Sequence, residues 1–427
     1  MLIRDPVHGD IDLDAAEAQV LNCADVQRLR GIKQLGTANL VYPGSVHTRF
    51  DHSLGANALA QRIVAALRSG GARIDPALAT LIGIAALLHD VTHVPFGHTL
   101  EDERRLFARH DKGQRLEMLL AGRLGDCLDR LRLRSDILGI LGNTDTRPAT
   151  VPAWARQIVS STIDADLLDY LRRDSYFTGL AHDYDDRIFH YFVIDGDQLA
   201  LNMTKHGMER PDARSEVVQL LRMRYFLTER VYYHHTKVAA GAMISKAVEL
   251  AHEHGVLGED ELLRLNDWTL LERLRHTPTP SAADARIVRL IERLDARQLL
   301  KRGYVISART VADDARHQLV DRFHTALRTR AEAEAFLAQA LGCSAAEVIV
   351  YCPALTVMKE AAALVRTPAG LQRLNEPERQ PNTEIQALEA RYAALWRLYV
   401  FVPEEAAARA ADAAGEIFGY PSEHHAG

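Results

Sequence analysis

Between residues 46 and 111 the chain reads VHTRFDHSLG, then ALLHDVTHVPFGHTLED, then FARHD. These segments concentrate the residue types that metal binding and acid–base chemistry require. Three His-Asp pairs occur in the chain: His89–Asp90, His110–Asp111 and His182–Asp183. An isolated pair carries little information, but the first is set apart by its context. It closes an almost wholly apolar stretch, Pro76 to Asp90, whose proline suits a first helical turn. A helix that is apolar all round is buried. An imidazole beside a carboxylate is costly to bury there unless the two are paired or bound to a metal. Adjacent residues do not face each other across a helix surface, yet both can reach one ion lying off the helix end. Nitrogen and oxygen donors together suit Fe, Mn, Zn, Ni or Co better than Mg or Ca alone. The expected cofactor is therefore a divalent transition metal, with or without Mg. His93 and His98 follow, with Pro95 between them ending any helix. That places His93, His98 and Glu101 on a turn folded over the ion, and Glu101 and Asp102 offer carboxylates for acid–base work or for orienting water. For any one of these residues a solvated capping turn explains as much; the ordered set is what points to chemistry.

The elements that must position this set are mostly helical. Residues 14–35 predict one or two short helices. Residues 52–69 form an amphipathic helix with Leu54, Leu59, Ile63, Val64 and Leu67 on one face, stopped by Gly70–Gly71. A further helix is predicted over 154–174, and the longest helical run covers 213–252. Strand signals are few. Segments 189–194 and 199–203 flank Asp195–Gly196 and predict a hairpin. Segments 303–307, 347–351 and 398–402 predict strands separated by helices, a small α+β unit in the last third. Residues 277–281 are a candidate linker and 366–383 a candidate exposed loop. The expected fold is mainly α: a helical core with a small β-hairpin over 1–252, then a helical and α+β region over 253–427.

These segments resemble the HD-domain phosphohydrolases. Residues 4–240 resemble in particular the catalytic core of the SAM- and HD-domain deoxynucleoside triphosphate triphosphohydrolases and their bacterial relatives. RDPVHGDIDL, QRLRGIKQLG, VYPGSVHTRFDHSLG, HDVTHVPFGHTLED, DADLLDYLRRD and RMRYFLTERVYYHH occur in that family's order. The C-terminal third matches less clearly, and no SAM domain precedes the core, so regulation through one is not expected. The resemblance implies His52, His89, Asp90 and Asp166 as metal ligands. It implies His93, His98 and Glu101 as the catalytic group beyond them. Asp111 stands where the family has an acidic partner, usually Glu, that orients a histidine. Gln34 and Leu35 match positions that touch base and sugar, and Arg49 matches a phosphate-contacting arginine. Tyr170 and Asp174 match sugar-reading residues, and Arg224, Tyr232 and His234 match phosphate- and sugar-side residues. Core packing would equally explain Tyr232, and a helix-surface charge Arg224. One departure bears on the substrate: Leu167 stands where the triphosphohydrolases place a phosphate-binding lysine.

Composition narrows the class. The 427 residues carry 51 basic and 57 acidic side chains, a net charge of −6, which lacks the basic footprint of a nucleic-acid binder. The four cysteines form no CxxC pair, so zinc knuckles and disulfide frameworks are not expected. No signal peptide or membrane span is read, which predicts a cytoplasmic protein with no membrane partner. The expected activity is metal-dependent hydrolysis of a nucleotide phosphate ester, foremost a deoxynucleoside triphosphate to deoxynucleoside and triphosphate. Hydroxide would attack phosphorus in line, with His98 donating a proton to the leaving oxygen or positioning the water. Loss of the lysine at 167 keeps a nucleoside 5′-monophosphate phosphatase as the alternative. A non-catalytic nucleotide-sensing module and a nucleic-acid hydrolase are the competing classes. Self-association into a homo-oligomer is expected from the resemblance.

Overall fold

The computed structural model describes residues 1–110, 114–142, 151–277, 282–376 and 382–424. The fold is mainly α, with strands confined to small sheets. No helix among the described residues is long and apolar enough to cross a membrane.

Two long helices carry the centre of the molecule. Arg49–Ser69 starts on a capping box in which Thr48 and Asp51 exchange side-chain and backbone hydrogen bonds. Pro76–Leu88 starts on Asp75, with proline in its first turn. The two pack together, and Arg49–Ser69 also packs on the helix Ala165–Thr178. Their apolar faces form one core with the Pro211–Leu227 helix. Gly55 allows the closest approach: a Cβ there would lie 1.8 Å from an Asp169 oxygen and 2.4 Å from Arg173.

Two expected helices are broken, and each break sets an orientation. Residues 154–174 form two helices, Ala153–Val159 and Ala165–Thr178. The Asp164 carboxylate interrupts the run by accepting the Leu167 N–H at 2.8 Å as an N-cap, while also accepting the Ser161 N–H. Asp166 thereby falls in a first helical turn. The run 213–252 is likewise two helices, Pro211–Leu227 and His235–Glu253, separated by a π-helical turn at Thr228–Tyr232.

The hairpin forms as Phe192–Asp195 against Gln198–Asn202. Its partner comes from the last third: Leu364–Thr367 adds in parallel to Gln198–Asn202, and Gly370–Arg373 completes the sheet. Part of the expected loop 366–383 is therefore strand, and 377–381 lies outside the described residues, as does most of the candidate linker 277–281. The three late strands form one antiparallel sheet, Lys301–Ser307, Arg397–Val402 and Ile349–Tyr351. Both of its faces are buried: Val305, Tyr399 and Phe401 face the core built on His235–Glu253, while Tyr304, Ile306, Leu398 and Val400 face the helices Leu327–Leu341 and Ala407–Phe418. This is the period-two alternation of a strand with cover on both sides. Residue 252 falls near the end of a helix whose core neighbours lie largely beyond it in sequence.

Candidate metal centre and catalytic cavity

The HD pair lies just past the end of the Pro76–Leu88 helix, with His89 as its C-cap. His89 Nδ1 donates to the Ala86 carbonyl at 2.7 Å. His52, one turn into the Arg49–Ser69 helix, donates from Nδ1 to Asp169 Oδ2 at 2.7 Å. Each ring therefore carries its proton on Nδ1, and both Nε2 lone pairs point inward, 3.1 Å apart. Asp166 Oδ1 lies 3.0 Å from His52 Nε2 and 3.7 Å from His89 Nε2. Asp90 oxygens lie 3.8 Å and 3.6 Å from the same two nitrogens.

Two lone pairs and two carboxylates converging in buried space repel one another unless a cation sits among them. Without that cation a proton takes its part: burial opposes charging His52, yet hydrogen bonds to Asp166 and Asp169 push its pKa up to about 10. Burial likewise works against ionised Asp166, and the two histidines outweigh it, holding the carboxyl far below its usual range. The donor set thus fits a divalent cation, which His52, His89 and Asp90 could hold with Asp166 beside them.

Behind this set stands a layer that sequence reasoning did not single out. Asp169 is fully buried and accepts from His52, from Arg173 Nε at 2.9 Å and Nη2 at 3.0 Å, and contacts His8 Nε2. Arg173 also donates to Asp5 at 2.8 Å. The N-terminal RDPVHGD segment thus buttresses His52 through Asp169, a second layer that fixes tautomer and ring orientation. The signal was present as Asp169 and Arg173 at i, i+4 spacing, but spacing does not show which of Asp164, Asp166 and Asp169 faces the site. Tertiary packing separates the three into a cap, a metal-facing carboxylate and a buttress.

A second histidine cluster adjoins the first. His93 Nε2 lies 3.1 Å from Asp90 Oδ1, and its ring stacks on His110 with centroids 3.7 Å apart. His98 meets both rings edge-on, and the donor atoms of His93, His98 and His110 lie within 4.8 Å of one another. His98 Nδ1 is 3.2 Å from Asp102 Oδ2. Desolvation at the cavity wall and the neighbouring His110 lower the His98 pKa although Asp102 opposes them, which favours the neutral ring, while the side chain itself is about half exposed. Glu101 is buried, with one oxygen on His110 Nδ1 at 3.0 Å and the other on Arg115. It stands beside a histidine as Asp111 is expected to, and Asp111 lies outside the described residues. His110 was noticed in sequence only as part of an HD pair. The third pair is structural: His182 stacks on Phe226, and Asp183 pairs with Arg172.

Both clusters open into a cavity of about 1510 Å³ lined by Gln34, Leu35, Arg49, Tyr170, Asp174, Arg224 and Tyr232 among others. Gln34 Oε1 is buried without a hydrogen-bond partner among the described residues, an acceptor that a ligand could use. Arg49 is occupied by Asp90 in a buried ion pair, and Gly97 at φ +52° admits it closely, since a Cβ there would meet its guanidinium at 2.5 Å. Arg224 lies 5.3 Å from the centroids of both Tyr170 and Tyr232, a cation–π arrangement. Asp174 accepts from Tyr232 Oη at 2.6 Å and contacts His47 Nε2 at 2.8 Å. His234 is the site residue the fold moves away. It caps the His235–Glu253 helix by accepting from the Thr236 N–H at 3.3 Å and stacks on His235, outside the cavity lining. The π-helical turn before it shifts the helical phase, so Tyr232 and Tyr233 face the cavity. Leu167 is buried in the core and also absent from the lining.

Comparison with known proteins gives the family. The HD domain model matches residues 49–174, and the HD associated region model matches 215–426. A solved phosphohydrolase from Bacteroides thetaiotaomicron is similar over 94% of this chain and 100% of that one, with a TM-score of 0.68 and 25% identity. The chain belongs to the HD-domain phosphohydrolase superfamily. Within it, an uncharacterized protein of Methanocaldococcus jannaschii is 31% identical over 309 residues, 70% of this chain and 58% of that one. The deoxynucleoside triphosphate triphosphohydrolase SAMHD1 of Bos taurus is 28% identical over 348 residues, again 70% and 58%. The chain thus spans under two thirds of the length of these relatives.

Proposed function

We propose that the protein is a metal-dependent phosphohydrolase that cleaves a nucleotide phosphate ester, foremost a deoxynucleoside triphosphate to deoxynucleoside and triphosphate. The observation that carries the reading is the pair of inward Nε2 lone pairs, 3.1 Å apart and flanked by Asp166, at the floor of a large cavity. When bound, a divalent cation there supplies polarisation of a phosphoryl oxygen and acidification of a water. The chain's own residues do the rest. Asp169 and the Ala86 carbonyl hold the two imidazoles in register. Neutral His98 accepts a hydrogen bond from the attacking water, the second of the two roles expected for it. Arg224, between Tyr170 and Tyr232, offsets phosphate charge, while those rings and Gln34 meet the nucleoside. The four free cysteines accord with a reducing, cytoplasmic setting.

The position of Leu167 in the core favours the second reading, a nucleoside 5′-monophosphate phosphatase, because no cation can be presented from there. Products from nucleoside tri-, di- and monophosphates, with metal content measured on the same sample, decide between them. Triphosphate released from a deoxynucleoside triphosphate is expected. Orthophosphate from monophosphates alone establishes the alternative. No turnover with Mn, Fe, Co, Ni, Zn or Mg overturns both.

A further inference from the structure

Two of the loops that frame the cavity are anchored on one side chain from the C-terminal region. Asp267 opens the helix Asp267–Arg275, capped by Asn266, in the stretch matched by the HD associated region model. It is fully buried. One carboxylate oxygen accepts the Phe96 N–H at 2.8 Å, and the other accepts the Lys33 N–H at 2.9 Å. Phe96 stands between His93 and His98, and Lys33 precedes Gln34, whose side-chain oxygen has no partner among the described residues.

The turn at Phe96 is one that needs holding. Phe96 at φ +58° and Gly97 at φ +52° are successive left-handed residues. A residue with a side chain adopts that conformation only where surrounding contacts offset its cost. The turn brings Gly97 against the Arg49 guanidinium, which pairs with Asp90. Arg28 grips the same loop from its other end, donating from Nη2 to the carbonyls of Val91 at 3.0 Å and His93 at 2.7 Å, and from Nη1 to the Leu265 carbonyl at 2.9 Å. On the Lys33 side the fit is close as well: a Cβ on Gly31 would meet the Asn266 side chain at 2.5 Å. A buried carboxylate is costly, and burial pushes the Asp267 carboxyl up although the two N–H groups and the Lys33 ammonium hold it down. What the acid supplies in return is a pair of acceptors aimed at two different loops.

We propose that Asp267 is a positioning residue for hydrolysis: it clasps the backbone of Phe96 and Lys33, and so sets where His93, His98 and Gln34 stand relative to the metal centre. The inference rests on the phosphohydrolase reading of the cavity and gives the C-terminal region a part in the chemistry. Asp267 touches none of the four proposed metal ligands, so its loss should misplace the histidine turn while the metal stays.

The test uses the full chain, as wild type, Asp267→Asn and Asp267→Ala, with metal content and Tm measured on each. Asparagine keeps the shape but turns an amide N–H toward one of the two backbone donors, so it carries the test even if the alanine variant does not fold. With metal content at the wild-type level, kcat/KM on the nucleotide that wild type cleaves should fall by roughly ten- to hundred-fold, the scale of a small misplacement of reacting groups. In zinc-loaded protein, the side-chain nitrogen–proton NMR signals of His93 and His98 should shift in Asp267→Asn, while those of His182, stacked on Phe226, stay in place. A part confined to stability would lower Tm and leave these signals and kcat/KM as in wild type. The proposal is overturned if metal-replete Asp267→Asn keeps wild-type kcat/KM, or if its His93 and His98 signals coincide with those of wild type. If wild type cleaves no nucleotide, the phosphohydrolase reading falls, and the NMR signals still decide whether Asp267 holds the turn.

Discussion

At the residue scale, function turns on which atom of each side chain faces inward. His52 and His89 present Nε2 because their Nδ1 protons are committed elsewhere. Replacing His89 and Asp90 together by alanine removes two of the four proposed ligands and should abolish metal binding and hydrolysis, as read by elemental analysis and product assay. A metal-replete double variant would refute the ligand assignment. Asp169→Asn is the subtler experiment. It removes the charge that orients His52 and pairs with Arg173 while touching no ligand-to-metal bond directly. Metal affinity, measured by competition with a chelator, should fall by roughly 10–100-fold, and wild-type affinity in this variant would assign Asp169 a purely structural part.

At the scale of elements, helix packing and helix breaks aim these atoms. Asp169 can reach His52 only because Gly55 leaves no side chain between the two helices. Gly55→Ala is therefore expected to force the Ala165–Thr178 helix outward, at a cost of about 1–3 kcal/mol from overpacking. Calorimetry should show a lower Tm, accompanied by reduced metal content because Asp166 moves with the same helix. An unchanged Tm with full metal would show that the helices separate without consequence. The break at residues 160–164 matters as much. A continuous helix through 154–174 would have placed Asp166 in a middle turn with a different bearing on the site.

For the molecule as a whole, the HD core and the C-terminal region are joined by buried charge. Arg104 pairs with Glu334 at 2.8 Å and with Glu249, and Lys246 reaches both acids at 2.8 Å. Glu334 also accepts the Val350 N–H of the three-stranded sheet at 3.0 Å. Burial opposes ionising Glu334, but Arg104 and Lys246 prevail and bring its pKa down to about 2 from an ordinary 4.5. A depressed acid stabilises the fold above its unfolded pKa, and that contribution is lost as pH falls toward the folded value. Glu334→Gln should thus cost about 3–5 kcal/mol near neutrality by stranding buried cations. In urea unfolding, the gap to wild type should hold from about pH 6 to 8 and narrow below about pH 4.5; a pH-independent gap would assign the effect to packing. Self-association, expected from the family resemblance, is checked by sedimentation at micromolar concentration: a dimer or larger species is the expected result, and a monomer contradicts it.

The sequence by itself pointed to the class of chemistry proposed for the site. An apolar helix ending in His-Asp, preceded by His52 and followed by ordered histidines, fixes a buried metal-binding environment because those side chains are too costly to bury otherwise. Helical periodicity and turn residues likewise determined the mainly α architecture, the hairpin at Asp195–Gly196 and the three late strands. Only the tertiary structure decided how similar residues divide the work. Asp164, Asp166 and Asp169 share one short segment, and periodicity cannot tell a cap from a metal-facing carboxylate or a buttress, since each role depends on an element remote in sequence. The same holds for Glu101, committed to Arg115 and His110, and for His234, carried out of the cavity by a π-helical turn that no pattern of apolar residues announces. Contacts between distant segments, Asp5 with Arg173 or Glu360 with Arg224, form because buried charges must find partners in three dimensions, and sequence spacing does not record where those partners are.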